Sequence, residues 1–254
     1  MKKDILSSVL KFLRLLAISV LFSILFYGLL FLLIGKQTGK TIDYLIALGF
    51  LFGTVAETGF IEKKKLHTVG LRFDKKDFFY LNIGILIAVL INAVFIVLLS
   101  IKNQTVLFPA MSQKLLSNNR LVLSFAAVPF VEELFYRGYF LNGLFKSLTY
   151  VQRSLLSAIV FSLTHWANGS NMSTITFLIA CVFSTLFFGL LFNNISVLTG
   201  SIWMGLGIHW IYNFLASVLF LGTGYYNDII LATSLFLAVA TLLSSIPLKR
   251  RRLL

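Results

Sequence analysis

Long apolar runs constrain this chain more than any other feature. They recur at about residues 13–34, 42–58, 79–101, 121–144, 152–167, 173–192, 197–221 and 228–247. A stretch of about 20 apolar residues spans a ~30 Å hydrocarbon core as a helix, with every backbone group bonded inside the segment. The chain is therefore expected to be all-α: a polytopic membrane protein with about eight transmembrane helices, forming one integral-membrane domain over residues 1–254. Composition agrees, since 58% hydrophobic residues, 12% charged residues and a mean hydropathy of +0.92 lie far outside the soluble globular range. The runs at 42–58 and 152–167 are the shortest for a full crossing. Gly49 and Gly53 give the second run a GxxxG spacing, which suits close helix approach but is common by chance.

The net charge of +13 could suggest nucleic acid, but its placement argues against that partner. Basic residues gather at the ends of the apolar runs, as topology signals and contacts with anionic lipid do. With eight crossings, one face collects Lys2, Lys3, Lys11, Arg14, Lys63, Lys64, Lys65, Arg72, Lys75, Lys76, Lys146, Arg153 and Lys249 to Arg252. The other face holds only Lys36, Lys40, Lys102, Lys114 and Arg120. The positive-inside rule places both termini in the cytoplasm of a multi-pass cell-membrane protein. The single cysteine, Cys181, excludes an intramolecular disulfide.

Against this background the stretch Val131 to Gly138, reading VEELFYRG, is anomalous. At 1.5 Å per residue, Glu132 lies roughly 18 Å from Arg120 and about 21 Å from Lys146, which puts it near the middle of the bilayer. Ionisable groups at that depth face a bundle interior or a water cavity and mark functional sites by default. Glu133 and Arg137, four apart on one helical face, suit a supporting ion pair. That leaves Glu132 as the acid to be explained. The other seven acidic residues lie in tails, loops or near helix ends.

Two of the three histidines also fall in apolar runs. His165 is about 18 Å along a helix from Arg153, and His209 about 22 Å from Asn194. Glu132, His165 and His209 thus sit at similar depths on three helices, and their desolvation is most readily explained if they meet. Asn213, four residues after His209, shares its helical face. A carboxylate shielded from bulk water can take a proton from a bound water. An imidazole can hold that water, and His209 with the Asn213 amide can donate hydrogen bonds to an oxyanion. One carboxylate and two imidazoles, Glu132, His165 and His209, also match the ligand set of a hydrolytic zinc site, so a metal-dependent and a metal-free route both stay open.

Glu132-Glu133-Leu134-Phe135-Tyr136-Arg137, then Phe161-Ser162-Leu163-Thr164-His165, then His209-Trp210-Ile211-Tyr212-Asn213 resemble, in order, the EExxxR, FxxxH and HxxxN signatures of the CPBP family. This family, also called Abi, contains CAAX proteases and bacteriocin-processing enzymes. The resemblance covers about residues 120–220 and includes Thr199-Gly200-Ser201-Ile202-Trp203 before the third motif. It implies an eight-helix bundle with a membrane-buried peptidase site. Within it Glu132 activates water, His165 is its partner, His209 and Asn213 form the oxyanion side, and Glu133 with Arg137 supports. The implied substrate is a membrane-associated peptide or protein. Eukaryotic members trim prenylated CAAX proteins; bacterial members, which this short chain resembles more, are linked to bacteriocin immunity and peptide maturation. A non-proteolytic immunity or scaffold role is the runner-up, and a proton relay or transporter is a third reading.

Overall fold

The apolar runs fold as helices, and among the described residues there is no strand. The computed structural model describes residues 2–35, 40–103, 122–165, 175–220 and 226–250, with the single positions Gln113 and Ser117. Eight long helical elements follow in chain order among them. They are α1 (Lys2–Ile34), α2 (Lys40–Val55, continued by a π-helix Ala56–Ile61) and α3 (Lys75–Asn103). Then come α4 (Ala127–Glu133, continued by a π-helix Leu134–Leu141), α5 (Tyr150–Thr164), α6 (Ile175–Thr199), α7 (Trp203–Phe220) and α8 (Tyr226–Arg250). Four described segments are long and apolar enough to cross a membrane: Lys3–Leu33, Thr41–Ile61, Lys75–Lys102 and Val182–Thr199.

The chain divides into two compact units, each discontinuous in sequence. The first comprises Met1–Asp74 and Ala127–Thr149, and the second Lys75–Ala126 and Tyr150–Leu254. In the first, α1 lies on α2, and α4 packs on α2. Phe12 of α1 meets Phe140 edge-on at 5.4 Å, and Phe50 of α2 meets Phe135 edge-on at 5.3 Å, so both partners clasp the π-helical part of α4. The GxxxG spacing is functional as packing. A Cβ on Gly49 would lie 2.6 Å from the Ser19 carbonyl oxygen, and one on Gly53 would lie 3.0 Å from Ser19 Cα. Only glycine lets α1 and α2 approach that closely.

In the second unit α3 packs most extensively on α7, α6 on α8, and α5 on α6. Gly84 and Gly207 make the α3–α7 crossing, since a Cβ on Gly207 would stand 2.4 Å from the Leu81 carbonyl and one on Gly84 2.3 Å from that of Met204. Around the crossing, Phe95, Leu99, Phe214 and Leu215 form an apolar core.

Two of the boundaries that differ from the sequence expectation have identifiable polar partners. First, α1 begins at Lys2 rather than near residue 13, so Lys11 and Arg14 ride on the helix instead of a tail. No glycine or proline interrupts those residues, and two glutamates of the first unit neutralise both charges. Second, α6 does not stop near 192 but runs to Thr199. Asn193 donates to the Ser154 carbonyl at 2.9 Å, and Asn194 accepts from Tyr150 Oη at 2.7 Å, so side-chain partners carry both amides through the helix. The break comes at Gly200, whose φ of +67° suits a residue without a Cβ.

Candidate active site

The carboxylates come from the first unit. Glu132 and Glu133 end the α-helical part of α4, and Arg137 lies in the π-helix that follows. Arg137 Nη1 forms an ion pair with Glu133 Oε1 at 3.1 Å, with the two side chains 1% and 0% exposed. The i,i+4 pair read from the sequence is present and completely buried. Glu132, one residue earlier, is only partly buried. The two adjacent acids therefore face different surroundings, one locked to a cation and the other more accessible.

The α-helical rise used to place Glu132 in mid-bilayer does not hold along the whole of 121–144. This run consists of a turn, a 3-10 segment Ser124–Ala126, seven α-helical residues and then a π-helix. Such π segments insert residues into a helix and occur often at functional sites. Here the π segment carries Arg137, Gly138 and Tyr139.

The histidines come from the second unit, and the structure brings them to one aromatic ring. His165 sits in the turn just past α5, and Phe161, one turn earlier, lies 4.4 Å from it between ring centroids. His209 of α7 approaches the same Phe161 ring edge-on at 6.1 Å. On its other side His209 meets Phe192 of α6 at 5.6 Å, and it is 6% exposed. Phe161 is thus the shared wall of the two imidazoles, a role that its place in a spacing pattern did not disclose.

His165 Nδ1 lies 2.8 Å from the Phe161 carbonyl oxygen. A carbonyl only accepts, so Nδ1 must donate, and the neutral ring then presents Nε2 as its acceptor nitrogen. His209 is not 22 Å into its helix. Because α7 starts at Trp203, it lies six residues in, roughly 9 Å. The depth comparison therefore gives way to a contact: the two histidines are matched by the ring between them. Asn213, one turn beyond His209, is partly buried.

Three ties hold α7. Ser201 Oγ donates to Asp77 Oδ1 at 2.6 Å and accepts from the Trp203 backbone N–H at 3.2 Å, joining the start of α7 to α3. Trp210 Nε1 donates to the Val122 carbonyl at 2.6 Å, and the hydroxyls of Tyr212 and Thr233 lie 2.8 Å apart. These flank His209 on both sides in sequence and end one residue before Asn213. Among the described residues no group of three His, Cys, Asp or Glu side chains is arranged to hold a metal ion.

Residues 114–215 match the Rce1-like family model, described as type II CAAX prenyl endopeptidase. All three motifs, from Glu132 to Asn213, fall inside the Rce1-like match. The match agrees with the CAAX-protease resemblance of those motifs. No curated protein and no solved structure matches the chain significantly.

Sequence reasoning missed one group of polar residues. Glu57, read as a loop residue, is 0% exposed in the π-helix that ends α2. Arg14 of α1 grips it with two hydrogen bonds, Nε to Oε2 at 2.9 Å and Nη2 to Oε1. Asp77, grouped like Glu57 with the acids of tails, loops and helix ends, is also 0% exposed. The partners stand far apart in sequence, so no local spacing could reveal them.

Proposed function

We propose that this chain is an intramembrane endopeptidase that hydrolyses a peptide bond of a membrane-associated peptide or protein. The observation that carries the reading is the pair His165 and His209 on one Phe161 ring, with His165 Nδ1 committed to a carbonyl. The Rce1-like match over the same residues supports it.

In this mechanism Glu132 removes a proton from a water while His165 Nε2 orients that water. The water oxygen bonds to the scissile carbonyl carbon, and its π electrons move onto the carbonyl oxygen. His209 N–H and the Asn213 side-chain N–H donate to that oxyanion. The C–N bond then breaks, and the proton on Glu132 passes to the leaving amine. Glu133 and Arg137 support the site by holding each other's charge.

The test compares peptides released from membranes of cells making the wild type and Glu132→Gln. The variant should be inserted and folded yet produce none of the cleavage products. Identical peptide profiles, at matched expression, would overturn the peptidase and leave non-proteolytic immunity. Zinc is tested separately by elemental analysis of wild type and His209→Ala. Stoichiometric zinc lost in the variant would make His209 a ligand; an active, metal-free, chelator-resistant wild type fits the direct route. Both termini are assigned to the cytoplasm. Reporters fused at Leu254 and within 102–119 should therefore register opposite sides of the membrane.

A further inference from the structure

Outside the motif residues, the most strongly built polar cluster is Arg14, Glu57 and Tyr139. Its three side chains come from α1, from the π-helix that ends α2, and from the π-helix of α4. Glu57 is completely buried, Tyr139 is 1% exposed, and the Arg14 side chain is 45% exposed. The side-on grip of the guanidinium on both carboxylate oxygens fixes the plane of Glu57, because two parallel charge-assisted bonds leave it no rotation. Tyr139 Oη then donates to Glu57 Oε1 at 3.3 Å. A phenol buried this far needs a partner, and Tyr139 finds it in a carboxylate already oriented by another helix.

The position of Tyr139 gives the cluster its meaning. Three consecutive residues of α4 are held, the first within the helix and the next two by other elements. Arg137 is tied back along the helix to Glu133. Gly138 lies so close to the 3-10 turn Leu66–Val69 that a Cβ there would meet the Val69 carbonyl oxygen at 2.1 Å. Tyr139 reaches Glu57. A rod held at one level by two outside elements, the 3-10 turn at Gly138 and the end of α2 at Tyr139, is restrained from turning about its axis. Glu132 and Glu133 lie on the same rod, less than two turns away.

We infer that Arg14 and Glu57, acting through Tyr139, are positioning residues that set the rotation of α4 and so the direction in which Glu132 points. The inference rests on the peptidase reading for its catalytic consequence, but not for its structural one. Arg14 orients Glu57, Glu57 holds the Tyr139 hydroxyl, and the hydroxyl fixes the π-helix.

Tyr139→Phe is the central test, because it removes one hydroxyl and leaves the Arg14–Glu57 charges paired. Amide exchange over 134–141 should quicken while the melting temperature stays near that of the wild type. With an S-farnesylated CAAX-type peptide in detergent micelles as probe, kcat should fall about tenfold or more with KM unchanged, as a misplaced catalytic group predicts. Glu57→Gln combined with Tyr139→Phe should be no slower than the slower single variant, since both cut one chain of contacts. Arg14→Lys should recover part of the rate that Arg14→Ala loses, and these two keep the test open should Tyr139→Phe fold poorly. Unchanged exchange and kcat in Tyr139→Phe, or losses that merely follow melting temperature, would overturn the relay. If wild type leaves the probe uncut, the substrate reading fails for that peptide, and exchange over 134–141 alone decides the relay.

Discussion

The two units hold their polar groups by different means. In the first, charge meets charge: Arg137 with Glu133, Arg14 with Glu57, and Lys11 and Lys64 with Glu62. In the second, most of the buried polar contacts are neutral. His165 bonds a carbonyl, Asn193 bonds the Ser154 carbonyl, Asn194 joins Tyr150 and Ser244, and His209 sits between aromatic rings. Buried carboxylates and guanidinium groups need counter-charges, whereas imidazoles and amides can be satisfied by single hydrogen bonds. The first unit should therefore respond to loss of a charge through stability, and the second to loss of a donor through turnover.

The sharpest way to break this contrast is Arg137→Ala. It strands Glu133 as a buried, uncompensated carboxylate, and such a loss costs about 3–5 kcal/mol. Thermal unfolding in detergent should show the loss; a fully stable but inactive variant would instead place Arg137 in the chemistry. In the second unit Asn213→Ala should keep its melting temperature while turnover falls by about 10²–10³, the usual effect of losing one oxyanion donor. Steady-state kinetics with unchanged KM would check this, and a collapse in stability would erase the distinction.

A smaller effect is expected from Gly207→Ala. Its new methyl would meet the Leu81 carbonyl and push α3 from α7, an overpacking cost of roughly 1–3 kcal/mol measurable by thermal unfolding. The smallest effect concerns Glu62, just beyond the second candidate span. Burial alone would raise its carboxyl, but hydrogen bonds from Lys11 and Lys64 outweigh that and hold it below the ordinary glutamate value. Its contribution is thus present above the unfolded value and lost as pH falls through the lower folded one. Melting temperatures measured down through the acid range should drop less in Glu62→Gln than in wild type.

The helical architecture was legible because hydropathy reports it locally: a run of apolar residues needs only its own backbone bonds and lipid to be a helix. The Glu133–Arg137 pair was legible for the same reason, since both members lie on one helical turn. Three motifs nominate the candidate site residues, and the Rce1-like match covers all three.

Depth was not legible. Counting residues from Asn194 misplaced His209 because Asn194 is carried inside α6 by Tyr150 and Ser244, and the chain turns only at Gly200. Nor could the sequence show that Glu57 is buried, since Arg14 stands 43 positions away and Tyr139 82. Hydropathy and spacing determined which residues are helical and which polar side chains needed explaining. Tertiary structure decided their partners, because a buried charge or imidazole is satisfied by whichever group packing brings within about 3 Å, whatever its distance along the chain.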